Sequence, residues 1–276
     1  MPANLYALGA IALWALLATL GVSLAHLPPF LLTGVALIIG SIPAWPLARQ
    51  WHVPFRTLAL GVYGLFGFHF LLFLALRLAP PVEANLVNYL WPLLIVVLAP
   101  VFLPGMRLRA AHVLAALTGF AGATLAILGA ADDARGAWSW GYLPALGSAF
   151  IWASYSLWTR RVPAFPTAAI GLFGLVSGLL SLVCHWALEP AAAVSGHDIV
   201  LLVAMGLGPL GAAFFLWDKA LKLGDARQIA ILSYLTPLAS TVLLLVTSGR
   251  ALTPLLALAA ALIIGAALVG TRTSGP

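Results

Sequence analysis

The chain has 276 residues, of which 63% are apolar and only 7% charged, where a soluble domain of this size carries roughly 25% charge. A water-soluble globular domain is therefore excluded, and the solvent around this chain is a bilayer. The net charge of +6 contains no basic run longer than Arg160-Arg161, which argues against nucleic acid and leaves membrane orientation as the use of the charge.

At about 20 apolar residues per spanning helix, breaks at charges, prolines and glycines divide the chain into ten spans: 3–24, 29–48, 57–78, 82–103, 110–130, 138–159, 166–188, 198–220, 226–247 and 253–271. The runs are apolar throughout, without the alternation of a membrane barrel. The expected fold is an all-α membrane protein, one transmembrane domain over residues 1–276.

The first span lacks a charged leading region and is too long for a secretory segment, so it is expected to be retained; it carries Gly9 and Trp14. The third holds Gly61, Gly64, Gly67 and, midway along, His69, the one histidine placed centrally in a span. In the fourth, Asn85, Asn88, Tyr89 and Pro92 recur at three-, four- and seven-residue spacing and share a face, with Trp91 one step around. Pro92 has no N–H and frees the Asn88 carbonyl, which places polar backbone near mid-membrane. The fifth and tenth spans read as scaffold, with small residues every four positions at Ala111, Ala115, Gly119 and Ala123 and at Ala257, Ala261 and Gly265. The sixth places Tyr155 and Ser156 on the face of Trp152, and the eighth holds Gly206, Gly208, Gly211, Phe214 and Trp217. In the ninth, Ser233, Tyr234 and Pro237 repeat the kink of the fourth. Trp45, Trp51, Trp138, Trp140 and Trp186 fall near span ends, where interfacial belts attract indoles.

The second half repeats the first. A shift of 145 residues brings Asn88-Tyr89-Leu90-Trp91-Pro92 onto Ser233-Tyr234-Leu235-Thr236-Pro237, His69 onto Phe214 and Arg77 onto Lys222. A shift of 138 brings Gly9 and Trp14 onto Gly147 and Trp152. Repeat one is assigned to 1–130 and repeat two to 138–272. With five spans each, the copies enter the membrane from opposite sides, the inverted arrangement of secondary transporters. Lys and Arg agree with this topology. One side collects Arg49, Arg56, Arg107, Arg109, Arg160, Arg161, Lys219, Lys222, Arg227 and Arg272; the other has Arg77, Arg135 and Arg250 with most of the acids, Glu83, Asp132, Asp133, Glu189 and Asp198. By the positive-inside rule both termini are cytoplasmic.

Absences narrow the chemistry. No Asp or Glu sits at the centre of a span, which takes support from proton-coupled export of cations. There is no Walker sequence, no HExxH helix and no GxSxG turn, so an enzyme is not expected. Cys184 stands alone and no metal-ligand motif is present; neither cofactor nor metal is expected.

Ten spans, five-helix inverted repeats, cytoplasmic termini and the paired Asn88–Pro92 and Ser233–Pro237 segments resemble the drug/metabolite transporter superfamily, in its ten-helix EamA-type branch. The stretch from Glu83 to Pro100, with Asn85, Asn88, Tyr89, Trp91 and Pro92, resembles the YddG-type aromatic amino-acid exporters within it. The resemblance implies a bacterial inner-membrane protein with a central cavity between helices one, three, four, six, eight and nine. It also implies cavity roles for His69, Tyr89, Trp91, Pro92 and Trp152. Four-helix relatives carry a carboxylate in their first helix, and this chain has Trp14 in that region instead, a departure that weakens proton antiport.

The expected function is secondary transport by alternating access, facilitative or weakly coupled, exporting aromatic and other neutral amino acids. Trp14, Tyr89, Trp91, Trp152, Phe214 and Trp217 would supply stacking, and His69, Asn85, Asn88, Tyr155, Ser233 and Tyr234 the polar ends. Pro92, Pro237, Gly64, Gly67, Gly208 and Gly211 would permit gating. The alternative is export of cationic drugs or other small metabolites driven by proton antiport. Expected partners are the substrate and lipid, with no nucleic acid, in a monomer or homodimer.

Overall fold

A computed structural model describes residues 2–129, 139–248 and 253–272; Asp132, Asp133, Arg135, Trp138 and Arg250 lie outside the described residues. All regular structure within them is helical, and they form ten helical rods. These are α1 (Pro2–Ser23), α2 (Pro29–Trp51, tightening to 3-10 turns from Ile42), α3 (Phe55–Leu78), α4 (Pro81–Phe102), α5 (Ala110–Gly129), α6 (Tyr142–Trp158), α7 (Ala169–Leu188), α8 (Gly196–Leu223), α9 (Ala226–Leu232 and Leu235–Ser248) and α10 (Pro254–Arg272). Seven are long and apolar enough to cross a membrane; the others are the 17-residue α6, the divided α9 and α10.

The ends follow local chemistry. Prolines open α2, α4 and α10, where a missing N–H costs nothing because first-turn donors have no intrahelical partner. The eighth helix is longer than its apolar run predicts. Ser195 and Asp198 cap it reciprocally, Asp198 N–H to Ser195 Oγ at 3.2 Å and Ser195 N–H to Asp198 Oδ2 at 2.8 Å, which starts it at Gly196.

Four rods are irregular at mid-length. A π-helical turn occupies Tyr63–Gly67 in α3, and another occupies Gly208–Ala212 in α8. The fourth rod breaks between Asn88 and Trp91, and the ninth between Leu232 and Leu235. The Ser233 carbonyl, which Pro237 releases from the regular ladder, accepts the Thr236 N–H at 2.9 Å. A tighter turn thus satisfies that group locally, where lipid would leave it unpaired.

Packing runs in matched pairs. Helix α2 lies against α7 and α5 against α10, while α1 packs on α8 and α9 just as α6 packs on α3 and α4. Exchanging each helix with the one five places later maps this set of pairs onto itself. Helices α5 and α10 meet through Gly122, seated over Ala259 and Ile263, while the small-residue stripe of α10 points away from α5: Ala257 and Ala261 are exposed and a Cβ on Gly265 would meet nothing within 4 Å. Close approach elsewhere also depends on missing side chains. A Cβ on Gly40 would fall 2.6 Å from the Gly206 carbonyl and 2.8 Å from Gly211 Cα. Outward faces carry Leu5, Val22, Val101, Leu114 and Val246, exposed apolar groups that suit lipid.

Gly211→Ala is expected to lower stability by about 1–3 kcal/mol or more, since its Cβ would strike the Gly206 backbone carbonyl, which has no rotamer to yield. Gly21→Ala meets nothing within 4 Å and is expected to be neutral or to stabilise by up to about 1 kcal/mol. Thermal unfolding of the two purified variants in detergent compares them.

Candidate functional site

Side chains from five helices meet in one aromatic cluster. Trp152 of α6 is its hub. Small neighbours Ala149 and Ala153 keep its helix surface low, so rings from other helices reach it. Centroid separations from Trp152 are 6.0 Å to Trp14 on α1, 5.4 Å to Phe68 on α3, 6.4 Å to Trp91 on α4, and 5.6 and 6.2 Å to Phe214 and Trp217 on α8. Tyr155 lies 5.4 Å away on the same helix. Trp14 contacts Trp217 at 5.3 Å and Trp91 contacts it at 5.5 Å, which closes the group around α8. Most pairs are edge-on or tilted, as ring quadrupoles prefer.

The irregular backbone serves this cluster. Trp14 Nε1–H donates to the Pro209 carbonyl at 3.1 Å, a backbone group inside the π turn of α8. His69 Nδ1 lies 2.6 Å from the Leu65 carbonyl, inside the π turn of α3. A carbonyl only accepts, so Nδ1 carries the proton and, in the neutral ring, Nε2 remains as an acceptor. The imidazole stands 6.3 Å from Phe214 and 5.1 Å from Phe68. Trp217 Nε1–H donates to Ser156 Oγ at 3.2 Å. The indole N–H groups of Trp91 and Trp152 have no hydrogen-bond partner among the described residues.

Other predicted residues take different places. Asn88 is buried and accepts a hydrogen bond from Ser148 Oγ on α6 at 2.9 Å, which ties the broken α4 to the hub helix. Pro92 is buried in the turn after that break. Asn85 and Tyr89, also on α4, are half-buried and make no side-chain hydrogen bond among the described residues. Ser233 Oγ donates to the Ala230 carbonyl at 2.6 Å, within its own helix. Tyr234 and the neighbouring Pro237 are buried, and the Tyr234 ring packs on Gly119 and, at 6.4 Å, on Phe120 of α5. Ser233 and Tyr234 therefore stand outside the ring cluster. Gly64 sits against the Tyr155 ring, Gly67 against Ile151, Gly208 near Leu13 and Gly211 against Gly206, so each glycine of the π turns is also a packing contact.

Phe68 and Tyr63 belong to the surroundings of the site without having been marked by the sequence. Tyr63 Oη bonds Ser154 Oγ at 2.8 Å. Neither has an aromatic counterpart in the other half, since the 145-residue shift puts Phe68 on Ala213 and Tyr63 on Gly208, so repeat matching passes over them. Among the described residues no carboxylate hydrogen-bonds to the ring cluster, although Asp218 follows Trp217 and lies near enough to act electrostatically on Tyr155. Asp218 pairs with Lys222 at 2.6 Å in the last turns of α8, Asp225 with Arg227 at 2.5 Å beyond it, and Glu189 with Arg77 at 2.7 Å. Just outside the membrane spans, burial raises the Asp225 carboxyl, but hydrogen bonds from the Arg227 side chain and N–H outweigh it and hold the group below its usual range.

Known proteins place this architecture. The model of the EamA-like transporter family matches twice, over residues 1–128 and 139–271. A protein of Ancylobacter novellus named as the aromatic amino acid exporter YddG is 44% identical over 279 residues, spanning 98% of this chain and 96% of that one. An uncharacterized transporter in the sor 3′ region of Acidianus ambivalens is 23% identical over 74% of this chain and 79% of its own. One crystal structure, 41% identical, superposes with a TM-score of 0.90 over 98% of this chain and 97% of its own.

The Asn88–Ser148 bond is expected to show a coupling of about 0.6–1.7 kcal/mol. A double-mutant cycle with Asn88→Ala and Ser148→Ala, read by unfolding in detergent, measures it.

Proposed function

The chain belongs to the EamA-like transporter family, and we propose that it exports aromatic and other neutral amino acids by alternating access around the Trp152 cluster. It is a multi-pass transporter of the bacterial inner membrane and not an enzyme. The observation that carries the substrate reading is the cluster itself, four indoles with Phe214 and His69, whose hydrogen bonds involve no carboxylate among the described residues. Identity of 44% with a named aromatic amino acid exporter over nearly the whole chain supports it.

In this reading Trp14, Trp91, Trp152, Phe214 and Trp217 enclose the substrate ring. Aromatic walls give large apolar contact with few rotatable bonds. The polar ends of an amino acid need donors and acceptors in a medium without water. Among the described residues around the cluster, the uncommitted groups are the indole N–H of Trp91 and Trp152, His69 Nε2, Tyr155 Oη, and the side chains of Asn85 and Tyr89. The bonded Asn88 and Ser233 and the packed Tyr234 act as supports for the kinked helices.

The two halves work as inverted repeats with both termini cytoplasmic. Support comes from the self-matching helix pairs and from the equivalents that meet at the centre: Trp14 with Trp152 at 6.0 Å, His69 with Phe214 at 6.3 Å. Residues related by a two-fold axis touch their own equivalents only next to that axis. The ten-to-three division of cations read from the sequence supports the orientation. Repeats one and two, 1–130 and 138–272, then rock about a site on the axis.

Purified protein in liposomes is expected to exchange radiolabelled phenylalanine and tryptophan. Trp152→Ala should reduce exchange more than tenfold, as truncation of a central aromatic anchor costs about 2 kcal/mol or more. Exchange indifferent to a pH gradient identifies a facilitator, and exchange that follows the gradient identifies proton coupling. Ethidium movement without amino-acid exchange overturns the substrate assignment.

A further inference from the structure

The two helices with π turns end alike. Ten residues beyond Gly67 and beyond Ala212, each in the last turn of its helix, stands a cation, Arg77 on α3 and Lys222 on α8. Each lies over a phenylalanine at the head of a neighbouring helix. Arg77 Cζ is 5.8 Å from the Phe30 centroid, in the first turn of α2, and Lys222 Nζ is 4.0 Å from that of Phe165, ahead of α7.

Each cation also holds a buried carboxylate. Arg77 Nη2 donates to Glu189 Oε1 at 2.7 Å, and the same carboxylate accepts the N–H groups of Phe30 at 3.1 Å and Leu31 at 3.3 Å, with His185 Nδ1 3.0 Å from Oε2. Lys222 Nζ donates to Asp218 Oδ2 at 2.6 Å and to the Phe165 carbonyl at 2.9 Å, while Thr167 Oγ1 donates to that Asp218 oxygen at 2.7 Å. The clusters occupy opposite ends of α7. Glu189 follows its last residue and Phe165 and Thr167 precede its first, so the 20-residue rod separates them by about 30 Å, the thickness of a hydrocarbon core.

Between π turn and cation runs an 11-residue half-helix, Phe68–Leu78 in α3 and Ala213–Leu223 in α8. Its first turn carries a central ring, His69 in one and Phe214 in the other, and these two touch. One short rod thus joins the centre of the protein to a latch at the membrane face. The hinge end is a rewound hydrogen-bond ladder, where a helix bends most readily.

We propose that these half-helices are the two moving arms of the transporter, each hinged at its π turn, contacting substrate through His69 or Phe214, and latched by Arg77–Glu189–Phe30 or Lys222–Asp218–Phe165. The proposal rests on the alternating-access reading and adds to it the parts that move. A substrate entering between His69 and Phe214 separates their rings, and a rigid half-helix carries that separation to its latch. The arms meet at the centre, so one swings out while its counterpart stays latched. Both latches are closed in this structure.

The test uses full-length protein in liposomes, with Cys184→Ser and paired nitroxide labels at exposed positions. Leu78→Cys with Leu188→Cys reports the α3 latch, and Ala164→Cys with Leu223→Cys the α8 latch. Double electron–electron resonance is expected to show that Arg77→Gln lengthens the 78–188 distance by several ångström while 164–223 stays short. Lys222→Gln should do the reverse, and Arg77→Lys or Lys222→Arg should restore the short distances. Glu189→Gln keeps acceptors for the Phe30 and Leu31 N–H groups and removes the charge that holds Arg77, so it serves where Arg77→Gln fails to assemble. Both distances lengthening together, or neither moving, overturns the arms. Phenylalanine exchange by the unsubstituted chain is read in the same liposomes. Opposed arm movements without exchange uphold the arms and count against the substrate reading alone.

Discussion

Lipid offers a peptide group nothing to bond to, and each irregular stretch of this chain answers that constraint from within the protein. A helix that rewinds or breaks at mid-membrane releases N–H and C=O groups whose loss would cost several kcal/mol each. Here the released groups become structural resources. The Pro209 carbonyl in the π turn of α8 holds the Trp14 indole, and the Leu65 carbonyl in that of α3 holds His69. The break in α4 is tied through Asn88 to Ser148, and the break in α9 closes on itself through Ser233 and Thr236. Three of the four irregular rods, α3, α4 and α8, are thereby gathered where aromatic rings supply the remaining contact, and α9 stands beside them against α5.

In the proposed inverted-repeat reading, position on a two-fold axis gives this centre a property that separate halves lack. Trp14 and Trp152 meet as equivalents and are chemically identical; His69 and Phe214 meet as equivalents and differ. The first pair keeps the packing of the halves alike, which suits the proposed rocking, where either half plays either part. The second pair breaks the likeness at one place, giving the site one polar and one apolar wall. A substrate with an aromatic end and a charged end has a defined orientation there, because only one wall offers a ring nitrogen as acceptor.

Much of the fold was legible because its dominant signal is crude. Twenty-residue apolar runs and prolines at helix starts mark ten rods, and the sequence shift of 145 proposes a correspondence between rods with which the helix packing pairs agree. The ring cluster was legible in part, since Trp14, Trp91, Trp152, Phe214 and Trp217 are aromatic groups too deep for an interfacial belt. Correspondence in sequence, however, does not carry environment. Tyr89 and Tyr234 align, yet Tyr89 is half-buried on α4 while Tyr234 is wedged against Gly119 of α5. The π turns left no mark beyond glycines, which close packing also selects. The Glu189 contacts were invisible, because they join residues 112 and 159 positions apart through a side chain that reads as an ordinary helix-end acid.

The distribution of charge follows from the same solvent argument. A carboxylate among the rings would need a permanent partner, and one released whenever substrate left would stand unpaired in a medium that solvates it poorly. Acids at the rod ends escape that difficulty. Glu189 keeps the α2 N–H groups and His185 even without Arg77, and Asp218 keeps Thr167. Each carboxylate therefore keeps at least one hydrogen-bond donor when its cation moves away. A neutral centre has a further consequence for the cargo. The proposed cargo, an amino acid that is a zwitterion, carries no net charge across, so in that reading a site built of rings and hydrogen-bonding dipoles need not change its protonation state during transport.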